Sequence, residues 1–537
     1  VCIKFPEGNF VLDKRYVNKR FKTITNILAD CQTSEIDLSN TPVSYEIFNH
    51  LLDNFSIMKK ETSIALEMLN ASNFLEDTRL HFYCLDIATL IIRKKLKVSI
   101  LNDLAYDIVS MIILKFSESS EKLLDLFKTD LDTFKNFLPL INVVIKDVNH
   151  IPLFEGAKRI KYFEKIPLEY LNYLSESKEV SIRLESPIDE FPNPNGNILK
   201  LRLMGNIIPF QWGNLNSLTS LSVNYSIGDN IRHLTNLTKL HINGFIKRNQ
   251  VVPKIDLSNN INLIHLIISV NYANISDVIK TIPHPQKLET LNICSAHIVA
   301  FEDIGIDSSF SGLLKFSYTN RNNIRSLQGI GNLICLRELY LCNIDQGTDI
   351  LEIFNLPHIK KIRIKIVSIP QNMHLLHKVS SSLEEIELFS RAGNMDLFDI
   401  SFLSNLTSIK KIYLSHINAE NWEFLLNLKN IKIFKMYKTN FNDLSYLQNK
   451  HQIEKLLLFD TNLRIINPLD RFKNLRRLFI SSKFKIRILD PYPNKLRSIQ
   501  VVGDNISFRD KMKTPSENIG IVKIYTPPKK ISRSFFL

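Results

Sequence analysis

The chain has 537 residues, 45% of them apolar, which is more than one compact core holds and points to several domains or an elongated repeat array. Only 15 glycines and 20 prolines exclude collagen-like and proline-rich disordered classes, and 23% charged residues with a mean hydropathy of −0.03 exclude a highly charged disordered chain. The net charge of +14 is uneven: about −2 over residues 1–150 and about +16 over the rest. A basic C-terminal region admits an acidic partner or nucleic acid.

The apolar runs 87–92 and 109–114 are about a third of the roughly 20 residues a membrane helix needs, so no membrane span is expected. No charged-then-apolar leader opens the sequence. Six scattered cysteines without a C-x-x-C spacing predict free thiols in a reducing, cytoplasmic setting.

In chain order, residues 1–5 and 10–13 read as short strands around the turn Pro6-Glu7-Gly8-Asn9. A helix over 16–29, a strand over 34–38 and a helix over 44–55 follow, the last with apolar Ile47, Phe48, Leu51 and Leu52 on one face. Further helices are expected over 63–74, 78–94, 98–116 and 121–138.

The segments "IKFPEGNFVLDKRYVNKRFKTITNILAD", "EIDLSNTPVSYEIFNHLLDNF" and "ALEMLNASNFLEDTRLHFYCLDIATLII" resemble a BTB/POZ domain of the kind used by adaptors of cullin-type ubiquitin ligases. The matching core positions are Leu66, Leu69, Ala71, Phe74, Leu75, Leu80, Cys84 and Ile87. The loop 57–61 departs from the pattern, omitting a longer acidic insertion. The resemblance implies a head, residues 1–97, that docks a cullin or self-associates. The helix at 98–116 is similar to F-box or BACK helices at best. Residues 98–156 are otherwise a helical connector.

From residue 198 a second pattern dominates: apolar, two others, apolar, one other, apolar. It begins at Ile198-x-x-Leu201-x-Leu203, runs through Leu336-x-x-Leu339-x-Leu341 and Ile409-x-x-Ile412-x-Leu414, and ends at Leu496-x-x-Ile499-x-Val501. About fourteen copies recur at about 19–26 residues, the period of leucine-rich repeats. Weaker copies stand at Ile160-x-Tyr162 and Ile182-x-Leu184, and an Asn sits near several repeat corners. Each copy makes one short strand with alternate side chains inward, and stacked copies bury one another's anchors. The expected fold is an α+β BTB/POZ-like head followed by an α/β leucine-rich-repeat solenoid over 157–508, its parallel strands lining a concave face. Residues 509–537 form a cap, with a strand at 519–525, and a basic tail.

Residues between the anchors face outward. Early in the array they are small or polar, as at Ser220, Ser222, Asn224, Asn243 and Ser269. Later they become aromatic at Tyr340, Phe389, Tyr413, Tyr437, Phe459 and Phe479. Basic Lys361, Arg363, Lys365, Lys411, Lys435, Lys455 and Arg477 interleave with them. Aromatics framed by cations are the side chains of protein-binding hot spots, and they also stack on single-stranded bases. Glu338, Glu385 and Glu387 interrupt the basic stripe and weigh against nucleic acid, the lesser alternative.

No phosphate-binding glycine loop, nucleophile elbow or H-E-x-x-H occurs. His374 and His377 have helical spacing but no third ligand, and Cys335 with Cys342 is not a zinc pattern. Cys294 and Cys342 fall on outward positions and are expected to be accessible thiols. No enzyme, cofactor or metal is expected. The sequence thus reads as an adaptor holding a protein target on the solenoid and a cullin-type ligase at the head. The alternative is a structural component of a large assembly such as a viral particle. Head-plus-repeat chains of this Asn/Ile/Lys-rich kind resemble those of large DNA viruses and AT-rich protists.

Overall fold

The computed structural model describes residues 1–12, most of 17–52, Ala71, Leu75, 138–508 with short gaps, and 521–525. The chain divides into two units, Val1–Leu218 and Thr219–Leu537.

In the first unit, β1 (Cys2–Phe5) and β2 (Gly8–Val11) form an antiparallel hairpin with Cys2 opposite Val11 and Phe5 opposite Gly8. β3 (Glu35–Asp37) adds parallel to β1, which is therefore central. Helix α1 spans Lys22–Cys31, starting later and ending later than the 16–29 expected from sequence, and α2 spans Tyr45–Leu52. Ser44 opens α2 by accepting a hydrogen bond from the Ile47 N–H at 3.2 Å, the capping role that suits a short hydroxyl. Phe48 holds this core together. It is fully buried, with ring centroids 5.4 Å from Phe5, 5.2 Å from Phe10 and 5.6 Å from Phe21. Ala71 and Leu75, two of the core positions named from sequence, are fully buried, and the Thr23 N–H donates to the Leu75 carbonyl at 3.4 Å. The other positions named there, and most of the helices expected between 53 and 137, lie outside the described residues.

The same unit carries four parallel strands in chain order: Asn142–Ile145, Arg159–Ile166, Glu179–Leu184 and Lys200–Leu203. The weak copies at Ile160 and Ile182 are therefore true repeat strands. The stack also reaches into the segment read as connector. The same apolar spacing is present there as Leu140-x-x-Val143-x-Ile145, with Val143 and Ile145 buried and paired in register with Ile160 and Tyr162.

In the second unit, parallel strands follow one another from Ser220–Asn224 and Lys239–Gly244 through Lys455–Thr461 and Arg477–Ser482 to Ser498–Val502 and Ile521–Tyr525. The register aligns the anchors, with Leu339 opposite Ile362, Ile362 opposite Ile386 and Ile386 opposite Ile412. Each of these is essentially fully buried, and burying one such side chain stabilises by about 1.5–3 kcal/mol. Turns of 3-10 helix occupy the return side, as at Leu351–Asn355, Ser401–Asn405 and Glu423–Asn427.

The repeat asparagines have a physical task. Asn430 donates to the Thr407 carbonyl at 2.8 Å, and Asn474 to the His451 carbonyl at 2.8 Å. Each thus ties its repeat to the backbone of the one before. Asn440 does most: its Oδ1 accepts from the Ala419 N–H at 3.0 Å and from Trp422 Nε1 at 3.1 Å, while its Nδ2 donates to the Ala419 carbonyl at 2.8 Å. Gly312 is dictated by close approach, since a Cβ there would stand 2.0 Å from the Gln286 carbonyl oxygen. His416 and Lys438, just past their strands, and Asp460, near the end of Lys455–Thr461, share a left-handed conformation with φ of 54°, 50° and 50°. The backbone N–H groups of His416 and Lys438 then reach the Tyr437 and Phe459 carbonyls of the next repeat, each at 2.8 Å.

Two outcomes follow for stability. Asn440→Ala strands the Ala419 amide and the Trp422 indole and should lower unfolding stability by about 1–3 kcal/mol in a urea titration. Lys438→Gly should leave stability unchanged or raise it, whereas Lys438→Val should lower it by about 1–3 kcal/mol, because a β-branched residue is strained at positive φ. Equal stability of all three variants would remove both assignments.

Candidate interaction surface

Strand alternation builds three outward rows across the second unit. The burial pattern of Lys361–Ile366 shows the rule: Ile362, Ile364 and Ile366 are buried, while Lys361, Arg363 and Lys365 are half-buried. Pairing puts equivalent residues side by side, about 4.8 Å apart.

The first row is a ladder of alternating charge, Lys315, Glu338, Lys361, Glu385 and Lys411. Lys315 pairs with Glu338 at 2.8 Å, Lys361 with Glu385 at 2.5 Å, and Lys411 with the same carboxylate at 2.8 Å. Burial works to raise the Glu385 pKa, but hydrogen bonds from Lys361 and Lys411 outweigh it and hold the carboxyl at about 2.

The second row runs Tyr340, Arg363, Glu387, Tyr413, Lys435, Leu457 and Phe479. Glu387 is buried, and Lys361 at 2.5 Å and Arg363 at 3.2 Å compensate its charge. The Arg363 guanidinium also lies 5.0 Å from the Tyr340 ring centroid and 4.6 Å from that of Phe389. Phe389 meets Tyr413 edge to face at 4.9 Å, and Lys435 Nζ sits 4.2 Å from the Tyr413 centroid. Burial lowers the Lys435 pKa.

The third row contributes Phe389, Tyr437 and Phe459. Tyr437 and Phe459 are 6.4 Å apart, and Phe459 stacks on Phe479 at 4.1 Å. The aromatic and basic positions singled out from sequence are thus brought onto one face. They are not a free run of aromatics. The rings are half-buried and cover one another in two groups, Tyr340–Phe389–Tyr413 clamped by Arg363 and Lys435, and Tyr437–Phe459–Phe479.

The charge pattern differs from the basic stripe expected. Glu385 and Glu387, read there as interruptions, bind Lys361, Arg363 and Lys411 and offset most of their charge. Sequence reasoning also passed over Asn292 and Ser317. With Thr290, Lys315, Tyr340 and Arg363 they line an open depression of about 300 Å³ beside the aromatic groups. The signal was their small size opposite the large Tyr340 in the same row.

Cys342 is corrected: it is buried, its thiol pKa is raised by burial, and Tyr340 Oη lies 3.8 Å from its sulfur. Cys294 is half-buried. His374 and His377 are exposed, their Nδ1 atoms 2.9 Å from the Gln371 and His374 carbonyls. Among the described residues no cluster of three or more His, Cys, Asp or Glu could hold a metal ion, and no helix is long and apolar enough to cross a membrane.

No protein-family model and no curated protein matches the chain. Solved structures do. An internalin of Listeria monocytogenes is similar with a TM-score of 0.40 and 16% identity, over 59% of this chain and 89% of that one. A leucine-rich-repeat protein of Leptospira interrogans gives 0.39 and 14%, over 69% and 95%. The functional domain of a second L. monocytogenes internalin, which includes a cysteine ladder, gives 0.31 and 17%, over 55% and 70%. The repeat fold rests on this chain's own strand register and anchor spacing: a stack of leucine-rich-repeat type, one parallel strand per repeat.

The Glu385 network sets an acid dependence. Its folded pKa is depressed, so its stabilisation is complete above about pH 4.5 and is lost as pH falls toward about 2. Glu385→Gln should therefore flatten the fall in thermal stability between those values. An identical acid profile in the variant would show that the network contributes nothing.

Proposed function

We propose that this chain is a non-enzymatic adaptor whose repeat stack holds a target protein on its outward face while its head engages a cullin-type ubiquitin ligase or a second copy. One observation carries the first part. Tyr340, Arg363, Phe389, Tyr413 and Lys435 form a contiguous, half-buried aromatic and cation cluster on a rigid sheet. Such side chains lose little further entropy on binding and are those that dominate protein interfaces. The pairing of Lys361, Arg363 and Lys411 with two glutamates offsets most of their charge and favours a protein over a nucleic acid, whose binding rests on free cations.

For the head, the order hairpin, helix, parallel strand, helix over residues 1–52 supports the BTB/POZ resemblance. The free Cys2, Cys294, Cys335 and Cys342 fit a reducing compartment.

The test is affinity purification of the full chain from host lysate with cross-linking mass spectrometry. A cullin cross-linked within residues 1–97, and a target cross-linked to Lys361, Lys365 or Lys435, is the expected result. Arg363→Ala should cut target recovery by about tenfold while leaving cullin recovery unchanged, and should lower the melting temperature because it leaves Lys361 alone to compensate buried Glu387. Near-stoichiometric recovery of one assembly's subunits without a cullin would replace the adaptor by a structural component.

A further inference from the structure

The charge ladder of the first outward row breaks at one place. From Lys315 to Lys411 every charged neighbour is of opposite sign, and three of the four pairs close at 2.5–2.8 Å. After Ile433 the row carries Lys455 directly opposite Arg477. Like charges facing each other across strands destabilise a sheet. Lys455 is half-buried, Arg477 is exposed, and neither makes an ion pair among the described residues. Two residues along the same strands, Leu457 faces Phe479, both apolar, half-buried and outward. Phe459 stacks on Phe479 at 4.1 Å and backs that patch.

We infer that Lys455, Arg477, Leu457 and Phe479 form a docking site for an extended partner segment with an acidic residue and, two positions on, an apolar one. This deepens the adaptor reading and rests on it. Charge complementarity selects the first element: one carboxylate between Lys455 and Arg477 completes the alternation kept elsewhere in the row. Spacing selects the second. Residues i and i+2 of an extended chain are about 6.5–7 Å apart, the same rise that separates Lys455 from Leu457. An acidic–x–apolar segment therefore matches both rows at once. A nucleic acid matches worse, because the site offers only two cations beside an apolar pair, whereas phosphate binding draws on a run of free cations.

The experiment uses the full chain and fluorescein-labelled polymers in anisotropy titrations at about 150 mM salt. The probes are a Glu–Tyr copolymer, poly-Glu, a Lys–Tyr copolymer and a single-stranded oligonucleotide. The Glu–Tyr copolymer is expected to bind at least about tenfold more tightly than the other three. Lys455→Glu restores alternation with Arg477, so it should keep or raise the melting temperature while losing that probe by about tenfold or more. Leu457→Ser should weaken the Glu–Tyr copolymer and leave poly-Glu unchanged. Equal binding of Glu–Tyr copolymer and poly-Glu, tighter binding of the oligonucleotide, or full binding by Lys455→Glu would each overturn the site. If Lys455→Glu binds normally but Arg363→Ala still loses its target, only the acidic-segment site falls. If neither variant changes target recovery, the protein-binding face falls with it.

Discussion

Each repeat here is too short to satisfy itself, and that constraint shapes everything else. A strand such as Lys361–Ile366 has two edges of unpaired amides and carbonyls and a row of isoleucines with no partner inside its own repeat. Both needs are met only by the repeats before and after it. The backbone ladder and the apolar stack therefore run in the same direction, and the asparagine amides at Asn430 and Asn474 reinforce it by reaching back one repeat. Gly312 belongs to the same logic, where two repeats come too close for any side chain.

A parallel stack in strict register has a consequence for its solvent side. Outward residues at equivalent positions become neighbours whether or not they suit each other. The row from Lys315 to Lys411 resolves this by alternating sign, and Glu385 is held ionised by Lys361 and Lys411 on either side. Aromatics resolve it by covering one another and by accepting cations over their faces, as Arg363 does for Tyr340 and Phe389. The surface is firm because its polar and aromatic groups are already satisfied. It departs from this rule where Lys455 meets Arg477.

The repeat was legible because its signal is one-dimensional: an apolar spacing repeated many times. Strand positions, the inward anchors and the identity of outward positions all follow from counting along the chain. The first strand, Asn142–Ile145, carries the spacing too, as Leu140-x-x-Val143-x-Ile145, but one copy beside a run of expected helices does not stand out from chance apolar spacing. The candidate site was legible as a set of positions and not as an arrangement. Tyr340 and Phe389 lie on different rows, and only the sheet shows that one guanidinium spans both. Cys342 looked accessible by parity, yet it is buried beside Tyr340.

The sequence by itself determined the repeat, the parity of each side chain and the absence of the catalytic motifs sought, because those depend on residue type and spacing alone. Only the tertiary structure decided which charges cancel. Glu385 and Glu387 are separated from Lys361 and Arg363 by 24 residues in the chain and by hydrogen-bonding distance in the sheet. That proximity comes from the length of each repeat's return segment, which sets the register and which no local pattern encodes. The same register turned an expected basic stripe into a neutralised ladder with one unmatched pair of cations.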